Sequence, residues 1–174
     1  MTSKITNNGL FSDKYMLDIT GLNKTYPTPN GDYVVLDDLD LKVKHGEFIS
    51  IIGHSGCGKS TLLTMIAGLN EISKGTIIAD NKTVKGAGPD RAVIFQSPSL
   101  LPWLSAYDNV MLGVEQVFAH GTKKDRDDIV KYYLAKVGLE DDMHKRAKNM
   151  SQGMQQRVGI ARAFALKPLS LIHI

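Results

Sequence analysis

Apolar residues change their spacing twice along this chain. From Tyr15 to Gly53 they alternate or cluster in β-branched runs, "YMLDIT", "YVVLDDLDLKV" and "EFISIIG", set apart by the turn-forming "PTPNG" and "HG". That pattern predicts strands. "KSTLLTMIAGL" then places apolar residues at helical spacing among good helix formers, and a helix is predicted there. Short strands are predicted over "GTIIA" (75–79) and "RAVIFQ" (91–96). Beyond Pro98 three amphipathic helices are predicted, over "AYDNVMLGVEQVFAH", "DRDDIVKYYLAKVGL" and "SQGMQQRVGIARAFAL". The final "ALKPLSLIHI" reads as a buried strand getting under way after Lys167-Pro168. Strands followed by helices predict an α/β core that carries a helical subdomain.

The composition narrows the class. At 174 residues, with 43% hydrophobic and 22% charged residues, the chain suits one globular domain. A net charge of +3, from 21 basic and 18 acidic residues with no long basic block, gives no argument for a nucleic-acid partner. The single cysteine, Cys57, allows no internal disulfide and fits a reducing compartment. The first fourteen residues lack the apolar stretch of a secretory signal and read as a polar tail. The longest apolar runs fall well short of the roughly 18–20 residues that cross a bilayer.

Between a predicted strand and a predicted helix lies "GHSGCGKST", residues Gly53 to Thr61, which fits G-x-x-x-x-G-K-[ST]. Gly53, Gly56 and Gly58 free the backbone so that successive N–H groups can face one concavity. The helix that starts there favours a polyphosphate at its N-terminus. Lys59 supplies a positive charge to the β and γ phosphates, and the hydroxyl of Ser60 is a candidate Mg²⁺ ligand. His54, Ser55 and Cys57 occupy positions where the backbone N–H does the binding, and Thr61 closes the loop. ATP and Mg²⁺ are the cofactors this implies.

A second stretch separates the nucleotide-binding families. "MSQGMQQRVGIARAFA", residues 150–165, resembles the Leu-Ser-Gly-Gly-Gln signature and following helix of the ATP-binding-cassette ATPases. "VIFQSPSLLPWLSAYDNV" resembles that family's Q-loop, and Tyr26 in "LNKTYPTPNG" lies where the family keeps an aromatic residue for adenine. The resemblance covers residues 15–168. It implies a P-loop NTPase fold with a RecA-like core, an antiparallel β subdomain and an inserted helical subdomain over 98–154. It also implies ATPase activity, with Lys59 and Gln96 catalytic and Gln96 touching Mg²⁺ or the attacking water. Ser151, Gln152, Gly153 and Met154 would form a second cradle that closes on the γ-phosphate held by another subunit, in a head-to-tail dimer. Transmembrane permease subunits and, indirectly, a solute-binding protein would be the other partners, at the cytoplasmic face of the bacterial inner membrane.

Two positions depart from the common signature. Gln152 stands for its first glycine and Met154 for its glutamine. With "SLLPW" and "GPDRAVIFQ", they resemble importers of nitrate, taurine, alkanesulfonates and bicarbonate, the nitrate branch above all. Gln152 restricts φ where glycine is free; if that restriction weakens the trans cradle, Gln152→Gly is expected to tighten ATP-driven dimerisation.

Three other classes fit less well. Repair and chromosome ATPases of the same superfamily insert coiled coils or zinc modules, whereas 54 residues separate Gln96 from Ser151 here, without heptads or CxxC pairs. A GTPase needs Asn-Lys-x-Asp, and "NKTV" at 81–84 lacks the aspartate. A module that binds nucleotide without hydrolysing it stays open. The resemblance implies a strand ending in Asp-Glu and a later histidine, and neither follows Pro168. Residues 169–174, "LSLIHI", match the translation of a transposon mosaic-end adapter and are expected to be derived from one. The chain as given is therefore expected to be truncated and not to turn over ATP.

Overall fold

The computed structural model describes residues 15–174, so the polar segment 1–14 lies outside the described residues. The chain divides after Ala87 into two compact units.

In the first unit a long hairpin, β1 (Tyr15–Thr28) and β2 (Gly31–Lys44), joins β3 (Lys74–Ala79) and the two-residue β4 (Lys82–Thr83). They form an antiparallel sheet in the order β2-β1-β3-β4. "PTPNG" turns the hairpin as predicted, with Tyr26 opposite Tyr33 and Thr28 opposite Gly31. Ile19 and Leu22 of β1 and Ile77 of β3 are almost fully buried. Burial of each such side chain contributes about 1.5–3 kcal/mol. Gly75 has φ +89, and a Cβ there would lie 2.3 Å from the carbonyl oxygen of Gly21, so glycine is required for β3 to reach β1. Helix α1, Lys59–Ile66, buries Leu62, Met65 and Ile66.

One predicted strand does not form. Residues 47–54, which include "EFISIIG", have no regular structure, and Phe48 and Ile52 are 93% and 91% exposed. The alternation is right for a strand, but a strand exists only through its neighbours. No described strand pairs with this stretch.

In the second unit the strand predicted at 91–96 ends early, as β5 (Arg91–Ile94), and three helices follow: α2 (Ala106–Val117), α3 (Lys123–Lys136) and α4 (Gln152–Ala165). Helix α3 starts two residues before its prediction because Thr122 and Asp125 form a capping box, each side chain accepting the other's backbone N–H. Ser105 and Asp108 do the same for α2. Val110, Val114, Val130, Leu134 and Val158, drawn from all three helices, share one core in which each is fully buried. Strand β6, Ser170–His173, pairs in parallel with β5 and buries Ile172. It falls within the stretch 169–174 singled out above. No described helix is long and apolar enough to cross a membrane.

Candidate nucleotide site and signature helix

The glycine-rich loop takes the conformations its composition anticipates. Gly56 and Gly58 have φ of 81° and 91°, in the left-handed region that other residues avoid. Gly58 is the N-cap of α1, and a Cβ on it would press at 3.1–3.2 Å on Val35 and Leu36 of β2. Gly53 is required by space, because its Cβ would lie 2.7 Å from the Cys57 sulfur. The Lys59 ammonium folds over the loop and donates to the carbonyls of Gly53 at 2.9 Å and His54 at 2.7 Å, with the Cys57 Sγ 3.6 Å away. His54, Ser55 and Ser60 are exposed, and Thr61 is half-buried.

This loop fits a polyphosphate. Two of its glycines take positive φ just before the first turn of a helix, and the Lys59 ammonium lies against the loop backbone, the elements a phosphate-binding helix start needs. For Mg²⁺ the donors are sparser. Among the described residues no three acidic, histidine or cysteine side chains cluster as a metal site. The Ser60 hydroxyl is a hard oxygen donor of the kind Mg²⁺ accepts while keeping most of its water.

Tyr26, near the end of β1, is 38% exposed. Asn70 Nδ2 donates to its hydroxyl at 2.8 Å, and the Lys24 ammonium stands 4.6 Å from its ring centroid. That ammonium also donates to the Glu71 carbonyl at 2.7 Å, and Ser73 N–H donates to the Asn23 carbonyl at 2.9 Å. The turn after α1 is thus tied to the strand that carries Tyr26. One ring face is covered by a cation, which leaves the opposite face for a base. The β2 residues that touch Gly58 lie two and three positions beyond Tyr33, the partner of Tyr26. Neither Lys24 nor Asn70 was visible as a site residue in the sequence.

In the second unit, Gln96 stands exposed two residues past the end of β5. Ser151 is the N-cap of α4, and its side chain accepts the Met154 N–H at 3.3 Å. Gln152 and Gly153 are the first two residues of the helix. The restriction expected from Gln152 does not arise here. The position is helical and not of positive φ, so glutamine is at home and glycine would be the poorer residue. A Cβ on Gly153 would meet nothing within 4 Å, and Gln155 Nε2 fixes the preceding turn through the carbonyls of Ala147 (3.0 Å) and Met150 (3.1 Å).

The loop before α2 is held from inside. Asn109 is fully buried; its Oδ1 accepts the Leu101 N–H at 2.8 Å, and its Nδ2 donates to the carbonyls of Leu101 (3.1 Å) and Ser105 (2.9 Å). The N–H groups of Ala147 and Lys148 donate in turn to the carbonyls of Leu104 and Pro102. Trp103, on this loop, is 64% exposed, so it does not pack within its own unit. The hydroxyl of Tyr107 donates to Asp127 at 2.8 Å. Burial and that carboxylate push its pKa up to about 12.

Known proteins resemble the chain throughout. The family described as ABC transporter matches residues 36–173. The nitrate import ATP-binding protein NrtD of Synechococcus elongatus is 42% identical over 172 residues, 99% of this chain and 63% of its own length. The nitrate transport protein NasD of Klebsiella oxytoca is 44% identical over 91% of this chain and 61% of its own. The bicarbonate transport ATP-binding protein CmpD of Synechocystis is 47% identical over 90% of this chain and 55% of its own. The chain therefore spans between 55% and 63% of the length of these curated relatives. The dimeric, post-hydrolysis structure of the ATP-binding cassette MJ0796 bound to ADP and Pi superposes with a TM-score of 0.81 at 30% identity. It covers 91% of this chain and 73% of that one.

Proposed function

Because the chain belongs to the ABC transporter family, we propose that it is the nucleotide-binding part of an ATPase subunit that drives import of a small anion, nitrate in the first place. The observation that carries this reading is the loop 53–61, with Gly56 and Gly58 at positive φ and the Lys59 ammonium laid across it. Bicarbonate is the second substrate, favoured by the 47% identity to CmpD. Taurine and alkanesulfonates are weaker alternatives.

The chain's own residues divide the work. Backbone N–H groups of the loop and the first turn of α1 bind phosphate oxygens. Lys59 exchanges its two carbonyl partners for phosphate, a charge-assisted bond about twice as strong as a neutral one. The open face of Tyr26 receives the base. Ser60 would hold Mg²⁺ and Gln96 would touch it or orient the attacking water, the metal supplying charge neutralisation of the phosphates. Bound Mg·ATP supplies the phosphoryl group and the charge that must be neutralised. Ser151 and the N–H groups of residues 152–154 form the cradle offered to the nucleotide of a second, head-to-tail subunit. The exposed Trp103 and its loop offer the membrane partner a contact, which would place the subunit at the cytoplasmic face of the bacterial inner membrane.

The test is ATP hydrolysis by the assembled transporter in vesicles, with its binding protein charged with nitrate or with bicarbonate. Stimulation by nitrate above bicarbonate supports the reading. Stimulation by neither would remove both anions from it.

A further inference from the structure

Helix α4 carries Ser151 at its start, and one of its faces grips the segment that leaves β5. Gln156, Gly159 and Arg162 follow one another at three-residue spacing, close to the helical repeat. Gln156 Nε2 donates to the Phe95 carbonyl at 3.1 Å. Arg162 donates through Nη2 to the Pro98 carbonyl and through Nη1 to the Ser99 carbonyl, each at 3.1 Å. Between them, a Cβ on Gly159 would already be in contact with the Pro98 carbonyl oxygen at 3.7 Å. The loop backbone therefore lies against bare helix.

These contacts bracket Gln96, one on the residue before it and two on residues shortly after. Ser99 is held at φ +48, in the left-handed region that L-residues avoid, and its carbonyl is one of those Arg162 takes. Two successive carbonyls, each on its own nitrogen, suit the rigid fork of a guanidinium. A lysine ammonium is a single point and could not span both in the same way. Neither Gln156 nor Arg162 is placed to touch nucleotide by any of these contacts.

We propose that Gln156 and Arg162 are positioning residues for Gln96, fixing its loop to the helix whose N-cap is Ser151. Gln96 serves the nucleotide bound by its own chain, and Ser151 serves that of the second subunit. This rests on the role assigned to Gln96 above.

Two readouts test it. In Arg162→Lys, the backbone ¹⁵N order parameters of Ser97, Ser99 and Leu100 should fall from about 0.85 to below about 0.6, while those within α4 stay near about 0.85. Gln156→Met keeps the packing and removes one bond, and should show the same pattern at smaller size. In the chain carried to the length of its relatives, Arg162→Lys should raise the Mg²⁺ concentration for half-saturation of the ATP complex by about fivefold. Affinity for ATP without Mg²⁺ should be unchanged, and the substitution should add nothing in a Gln96→Ala background. Unchanged loop order parameters in both variants would overturn the grip. A Mg²⁺ effect of the same size in the Gln96→Ala background would overturn its action through Gln96. Failure of the wild type to bind ATP would count against the function proposed above, and the order parameters would still decide the grip.

Discussion

Replacing Tyr26 by alanine should weaken ATP binding without touching the affinity for phosphate alone. The ring is 38% exposed, with the Lys24 ammonium 4.6 Å from its centroid on one side. A base can therefore stack on one face only. Stacking on an aromatic side chain is worth about 1–3 kcal/mol. At about 1.4 kcal/mol per decade, that is about 5- to 150-fold in Kd. Tyr26→Phe keeps the ring and loses only the Asn70 bond to the hydroxyl. That bond orients the ring and is worth about 0.5–1.5 kcal/mol net to local stability, so the Phe variant should bind ATP within about threefold of wild type. Calorimetric titration with ATP and, separately, with inorganic tripolyphosphate makes the assay specific. The Ala variant should lose affinity for ATP and keep it for tripolyphosphate. Equal losses for both ligands would mean that the substitution disturbed the loop. No loss for ATP would remove Tyr26 from the site.

Other expectations follow from single contacts. Gln152→Gly should lower, not raise, the fraction of ATP-driven dimer, because it replaces a helical residue by one about 1 kcal/mol poorer in a helix; a raised fraction by sedimentation velocity contradicts this. Asn109→Leu should cost about 1–3 kcal/mol for each loop group it leaves unpaired, read by urea denaturation, and a loss below about 1 kcal/mol would show that water replaces the bracket. The Thr122 hydroxyl and N–H hold the Asp125 carboxyl below its usual pKa. The capping contribution to α3 is then complete above the ordinary carboxylate range and lost as pH falls through the lowered value. Thr122→Val should flatten that acid limb of the stability curve, and an unchanged limb would remove the cap from the account.

Much of this molecule is legible in its sequence. The loop 53–61 is, because its chemistry requires glycines, a lysine and a hydroxyl at fixed spacing next to a helix. The hairpin is, because "PTPNG" punctuates two alternating runs. Helix α4 and its N-cap are, through Ser151 and the apolar period that follows. The stretch 47–53 shows the limit. Its alternation states what it could pair as, while pairing depends on neighbours that a local pattern does not contain. Lys24, Asn70, Asn109, Gln156 and Arg162 escaped for a related reason. Four of them bind partners more than 40 residues away, as Arg162 does at Ser99 across 63 residues, while Asn109 binds backbone within eight; a backbone group leaves no mark in the residue types. The glutamine at 152 misled because the family's glycine suggested a backbone need that the helical position does not have.

The claim on which everything else depends is that residues 53–61 bind the phosphates of ATP. Calorimetry on the wild-type chain and on Lys59→Ala tests it most directly. Lys59 donates to two carbonyls in the free loop and should give both up for phosphate oxygens, at about 1.5–3 kcal/mol per charged hydrogen bond. The account predicts saturable binding of ATP by the wild type and a Kd raised by about 100-fold or more in Lys59→Ala, with most of the loss shared by tripolyphosphate. Equal affinities in the two proteins, or no binding by the wild type at millimolar ATP, would contradict it.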